Sequence, residues 1–368
     1  MQAVRLFFLT AGIGMLSLAG LAALGNSPAT HRPARDGQGT PLSFGRDTSR
    51  PQPQVADALY ELQRVADAER SVSYTGQQAL SSWSAAGTAT MQVTVQHVAG
   101  EGSWIQQVKA GGGGTPIYQA DRPAELNARV VALLATNYSL SVSGLVECAG
   151  RAARQIKVRY RATGKLAGIF WVDRDTGLLL RRELYDRNGV LVRSTAFLDV
   201  TVGVASPTPP PTASGPHARE RVLDNAQLRD LRGDGWTVPD KLGGSESGDN
   251  LVLYDARQED GDDGAVLHLS YSDGLFSASL FAQRGRLEPM DGWVQRRIAD
   301  AEVYQKPGLS QWAVWDGGDT VYTLIADGPD TLVSDAVAAV PHVDRAHGVT
   351  GRLRRGVDRV FSWLDPFD

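Results

Sequence analysis

A single cysteine, Cys148, stands in 368 residues, so the chain holds no internal disulfide and no Cys-rich zinc module. Six histidines are scattered along it, and neither His97 nor His268 has a second histidine at ligand spacing. The net charge is −4, which excludes the basic field that sequence-independent nucleic-acid binding needs. No G-x-S-x-G elbow occurs, and the run Gly111 to Gly114 is not followed by the Gly-Lys-Ser/Thr of a phosphate loop, so it reads as a loop tip. No nucleophile and base pair off, and no catalytic residue, metal ligand or cofactor site is nominated. What remains is an ordinary globular composition, 42% hydrophobic, whose stability comes from packing.

Hydrophobic runs are equally scarce, with one exception. Leu6 to Gly25 is nearly continuous apolar sequence, and about 20 helical residues span the roughly 30 Å of a bilayer core. Residues 1–25 are therefore expected to be either a cleaved secretion signal or a retained membrane anchor, which places the remainder outside the cytosol. Residues 26–54, rich in Ser, Thr, Gly, Pro and Arg without periodicity, read as a tether. A second break at 204–218 carries Pro207, Pro209, Pro210 and Pro211 and reads as a semi-rigid linker. It divides the chain into bodies at 55–203 and 219–343. The tail 344–368 has Leu353, Val357, Val360, Phe361 and Leu364 at helical spacing with Arg352, Arg355 and Arg359 elsewhere on the wheel. It suits an interfacial helix on anionic lipid or a terminal helix docked on its own domain.

In the first body Val55, Leu59, Leu62 and Val65 predict a helix over Val55 to Glu69, and Pro123 to Thr136 a second. Between and after them the period is two. Met91, Val93 and Val95 alternate with polar residues, as do Ile156, Val158 and Tyr160. From Gly168 a meander follows, with turns at Arg174 to Gly177 and at Asn188-Gly189. The second body predicts a helix over Glu220 to Leu231, strands at 251–256, 265–272, 275–283, 309–316 and 320–326, and a helix over Pro329 to Val340. Short turns leave no room for crossovers, so both bodies read as α+β with mostly antiparallel sheets. Cys148 reads as a core filler, Glu259 with Asp260, Asp262 and Asp263 as a solvated hairpin end, and Trp293, Trp312 and Trp315 as packing residues.

Three stretches together resemble the RseB/MucB family of extracytoplasmic regulators of sigma-E-type transcription factors. They are LYELQRVADAERSVSYTGQQAL near the start, the turn Ala149-Gly150-Arg151 with the later Trp171, Asp173, Arg174, Thr176, Gly177, Glu183, Asp186 and Gly189, and YSDGLFSASLF from Tyr271 to Phe281. The resemblance implies a curved, half-open antiparallel sheet covered by helices, like the lipoprotein carriers, followed by a smaller α+β antiparallel-sheet domain. It also implies that the protein binds the extracytoplasmic segment of a single-pass anti-sigma factor, shields it from proteolysis, and responds to lipid-like envelope signals. A lipid or lipoprotein carrier is the alternative. For either, the expected apolar lining is Met91, Val93, Val95, Ile156, Val158 and Tyr160.

Overall fold

The structure is a computed structural model that describes residues 53–84, 87–108, 117–120, 128–203, 220–243, 250–261, 264–306 and 308–342. The expected leader, most of the tether, the proline-rich linker, the glycine run and the basic tail lie outside the described residues. Among those described, no helix is long and apolar enough to cross a membrane.

Helix α1 (Pro53–Ser71) is the first described element. Ala58, Leu62, Val65 and Ala66 fall on its buried stripe, while Tyr60, Gln63 and Asp67 face water. The acidic exception on that stripe, Glu61, is buried and paired with Arg64 at 2.7 Å and Arg154 at 3.1 Å. Strands β1 (Tyr74–Ser84), β2 (Gly87–Val98), β3 (Gly102–Gln107) and β4 (Ile117–Ala120) follow, and then α2 (Ala128–Asn137). Residues 123–127 of the expected second helix are outside the described residues. Strands β5 (Tyr138–Cys148), β6 (Arg151–Tyr160), β7 (Leu166–Asp173), β8 (Leu179–Tyr185) and β9 (Leu191–Val202) complete an open antiparallel sheet in the order β4-β3-β2-β1-β9-β8-β7-β6-β5.

The second sheet begins with β10 (Glu220–Val222), where the sequence suggested helix; α3 is Asn225–Gly233. The delay has a local cause. Asp224 caps the amides of Ala226 and Gln227 while the Gln227 side chain accepts from the Asp224 amide, and this capping box sets the helix start. Upstream, Glu220 to Val222 pair with β12 instead. The remaining strands are β11 (Lys241–Leu242), β12 (Leu251–Gly261), β13 (Gly264–Ser272), β14 (Ser277–Arg284), β15 (Val294–Ile298), β16 (Ala301–Lys306), β17 (Gln311–Asp316) and β18 (Thr320–Asp327), followed by α4 (Thr331–Ala339). They form a second open antiparallel sheet, with β10 at one end of the main path and β15 at the other.

One buried apolar cluster runs through both sheets. It joins Leu62, Leu134, Ile156 and Phe170 of the first to Leu275, Phe276, Trp315 and Val337 of the second. The two sheets are thus welded along a seam, and burial rather than local pairing holds them together.

Candidate functional site at the seam

The geometry of the seam starts from strand register. Directly paired residues share a face of an antiparallel sheet. Ile156 pairs with Phe170, Phe170 with Arg182, Arg182 with Thr195, Thr195 with Leu80, and Leu80 with Met91. The two apolar stripes expected from the sequence therefore end one cross-strand row on a single face. A second row runs Val158, Gly168, Leu184, Arg193, Ser82. Between the stripes stand two arginines, Arg182 and Arg193, that were not among the expected lining residues.

Packing separates the stripes. Ile156, Val158 and Tyr160 are buried in the cluster that contains α1 and α2, whereas Val93 and Val95 are buried in another with Tyr74, Trp171 and Phe197, against which half-buried Met91 packs. All six have neighbours in place, so the face is occupied by the protein's own side chains over these positions.

Arg182 and Arg193 are both buried and both converge on Asp327, the last residue of β18. Arg182 Nη2 lies 3.3 Å from Asp327 Oδ2 and Arg193 Nη1 lies 2.9 Å from Asp327 Oδ1. Arg193 also donates to the Leu309 carbonyl. Burial pulls the Arg182 guanidinium below its ordinary pKa, against the opposing pull of Asp327, and neighbouring Arg193 adds to the lowering. Two cations facing one carboxylate leave the cluster with one surplus positive charge, and the Arg182 Nε is buried without a hydrogen-bond partner.

A second polar link crosses the seam at the turn after β13. Asp273 Oδ1 accepts from the amides of Leu275 and Phe276, which fixes the turn. Its other oxygen accepts from the Tyr138 hydroxyl at 2.5 Å, and its carbonyl accepts from Asn137. Gly274, at φ +101°, sits against the Leu134 backbone of α2, and Leu275 lies beside Gly168 of β7. The Tyr271 to Phe281 stretch that carried part of the resemblance thus contributes, through its turn, to docking one sheet on the other.

Four of the other resemblance residues, Arg151, Asp173, Thr176 and Gly177, form a knot between the first sheet and α1. Arg151 grips Asp173 with two hydrogen bonds, of 2.9 and 3.0 Å, and Thr176 donates to Asp173 Oδ2 through both its amide and hydroxyl. Burial raises the Asp173 pKa, but these bonds outweigh it and hold the carboxyl below the usual range. Gly177, at φ +80°, lies against the Arg64 carbonyl of α1, where a side chain has no room. These positions order the β5–β6 and β7–β8 turns and make no constellation for chemistry.

Other singled-out residues are also accounted for by packing. His97 is buried between Ser103 and the Glu69 carbonyl and stacks on Tyr74, and His268 stacks on Phe281. Burial raises the half-buried Cys148 thiol, with Arg181 opposing. Trp312 and Trp315 are buried and Trp293 packs against a small cluster with Val314. Asp262 and Asp263 lie outside the described residues.

Comparison with known proteins gives residues 84–218 as a match to the MucB/RseB N-terminal domain. No curated protein matches the chain. Among solved structures it is similar to MucB in complex with MucA(peri), at 19% identity and TM-score 0.44, over 78% of this chain and 100% of that one. The Pseudomonas aeruginosa MucA/MucB complex gives the same identity and TM-score, over 78% of this chain and 99% of that chain. A putative outer membrane lipoprotein-sorting protein domain from Vibrio parahaemolyticus is 12% identical at TM-score 0.20, over 42% of this chain and 95% of that one.

Proposed function

We propose, from the premise that residues 84–218 carry a MucB/RseB N-terminal domain, that this protein is an extracytoplasmic regulator that binds the outer segment of a single-pass anti-sigma factor and so controls an extracytoplasmic-function sigma factor. That family match is the observation that carries the reading. In this reading residues 1–25 export or anchor the chain, and 55–203 and 219–343 are two domains joined by the linker at 204–218. The first has the curved, half-open form of the lipoprotein carriers. The protein binds and does not transform its partner. The absence of any nominated nucleophile and base is compatible with that role, and the seam supplies a rigid body on which a segment can be held.

Sensing requires a ligand with different affinity for two states, because only that difference shifts an equilibrium. The seam supports such a response. Beside the shared apolar cluster it carries polar links, Arg182 and Arg193 to Asp327 and Tyr138 and Asn137 to Asp273, that a change in packing would strain. A lipid carrier or lipid-binding protein of the envelope is the second reading, favoured by the apolar residues flanking Arg182 and Arg193. Met91, Val93, Val95, Ile156, Val158 and Tyr160 are its proposed lining, which an acyl chain would reach by displacing the side chains now packed there.

Deleting the coding sequence tests the regulator reading in cells. Transcripts dependent on one extracytoplasmic-function sigma factor rise if the anti-sigma factor loses its shield. Unchanged transcripts, under conditions where the protein is normally made, would overturn the reading. For the second reading, protein purified without detergent should carry stoichiometric lipid by native mass spectrometry.

A further inference from the structure

At one end of the second sheet, β15 pairs, among the described residues, with β16 alone, and its other edge is open to them. Val294 to Arg297 are exposed along it, with no proline or bulge to blunt the edge. An open edge offers a row of backbone donors and acceptors that an extended chain can complete. Beside this edge is a cavity of about 270 Å³ lined by Arg296, Arg297 and Lys306, with Asp330 as the one acidic residue in its wall. Trp312 gives it an apolar side, and Ser84 of β1 brings the first sheet to its rim.

We propose that this edge, with the cationic cavity beside it, forms the seat of an extended acidic peptide, which adds to β15 as a further strand and sets one acidic side chain against Arg296 on one face and the next against Arg297 on the other. The proposal rests on the regulator reading and says where and by what chemistry the partner segment is held. Two independent features point to the same occupant. The edge selects an extended backbone, and the cationic lining selects negative side chains. Strand geometry favours a peptide over a lipid headgroup. Arg296 and Arg297 are successive and so project to opposite faces, where a neighbouring strand with adjacent acidic residues meets a cation on each face. A headgroup approaches from one face only. Across β16, Arg296 faces Val303 while Arg297 faces Glu302 and has Asp300 3.8 Å from its guanidinium, which makes Arg296 the stronger determinant. The competing role for charged residues at an edge is simply to repel other strands. That role predicts no preference for acidic peptides.

The test titrates the full-length protein with a short Val/Thr peptide carrying Glu-Glu at its centre, with its Lys-Lys counterpart, and with phosphatidylglycerol vesicles. Wild type should bind the Glu-Glu peptide and not the Lys-Lys one, and the variant Arg296→Glu/Arg297→Glu should bind it at least about tenfold more weakly. Because both residues are exposed, the variant's circular dichroism should match wild type. Equal binding of both peptides, binding unchanged in the variant, or binding of vesicles in preference to the Glu-Glu peptide would overturn the proposal. The same variant is then titrated with the extracytoplasmic segment of the anti-sigma factor. Wild-type affinity in the variant overturns this site and leaves the regulator reading standing. Failure of wild type itself to bind that segment overturns the regulator reading.

Discussion

The Tyr138 hydroxyl, on the first residue of β5, donates to the Asp273 carboxylate of the turn after β13 at 2.5 Å, 135 positions along the chain. One carboxylate thereby shapes its own turn and ties it to the other sheet. Tyr138→Phe removes only the donor and leaves a buried charged acceptor short of a partner, at a cost of about 1.5–3 kcal/mol. Urea unfolding followed by tryptophan fluorescence should show the lower midpoint, and an unaltered curve would remove this bond from the account of the seam.

The Arg182–Asp327–Arg193 cluster should respond asymmetrically. Asp327→Asn leaves two buried guanidinium groups facing no charge and costs about 3–5 kcal/mol, while replacing all three by Met, Met and Leu costs far less because no charge stays buried. Thermal unfolding of the two variants checks the order. A triple variant as unstable as Asp327→Asn would contradict it.

Gly274 and Gly189 both have positive φ, but only Gly274 has a neighbour where a Cβ would go. Gly189→Ala should cost backbone strain alone, about 1–2 kcal/mol. Gly274→Ala adds a collision with the Leu134 backbone and should lower thermal stability further while increasing proteolytic nicking between the sheets. Equal losses would mean that the turn is not pressed against α2.

Asp173 predicts an acid-side pH dependence. Its folded pKa is held below the unfolded value of about 3.9, so the stabilisation is fully present above that value and is lost as pH falls through it toward the depressed folded value. Denaturation midpoints measured from about pH 6 down to pH 2 should fall less steeply in Arg151→Met, which removes the group that lowers the pKa. An identical slope in both proteins would show that the pair is not depressed relative to the unfolded chain.

Much of the antiparallel organisation was legible because period-two alternation and short turns are local. The strands around Val93, Val158 and Leu269 follow from it, and the α1 stripe at Leu62 and Val65 follows from the 3.6-residue period of a helix, which is just as local. The β15–β16 hairpin was not. Its turn is Ala299-Asp300, both residues at positive φ, so it lacks the Asn-Gly marker present at Gly189. Its first strand reads Val-Gln-Arg-Arg-Ile, and charge on an edge strand hides the alternation. Arg182, Arg193 and Asp327 were missed for a different reason. Their partners lie more than a hundred positions away, and only the fold brings them together. A faint trace existed in β9, where Arg193 shares parity with buried Thr195 and Phe197 and so occupies an inward position. The six stripe residues were found as an apolar face, but no local pattern foretold that packing divides them between two clusters.

Calorimetric titration of the purified full-length protein with the extracytoplasmic segment of a single-pass anti-sigma factor from the same genome is the most direct measurement. The account predicts saturable binding at one segment per protein, weakened when the seam is loosened by Asp327→Asn. No heat of binding at any concentration reached, with both components folded and monodisperse, would contradict it.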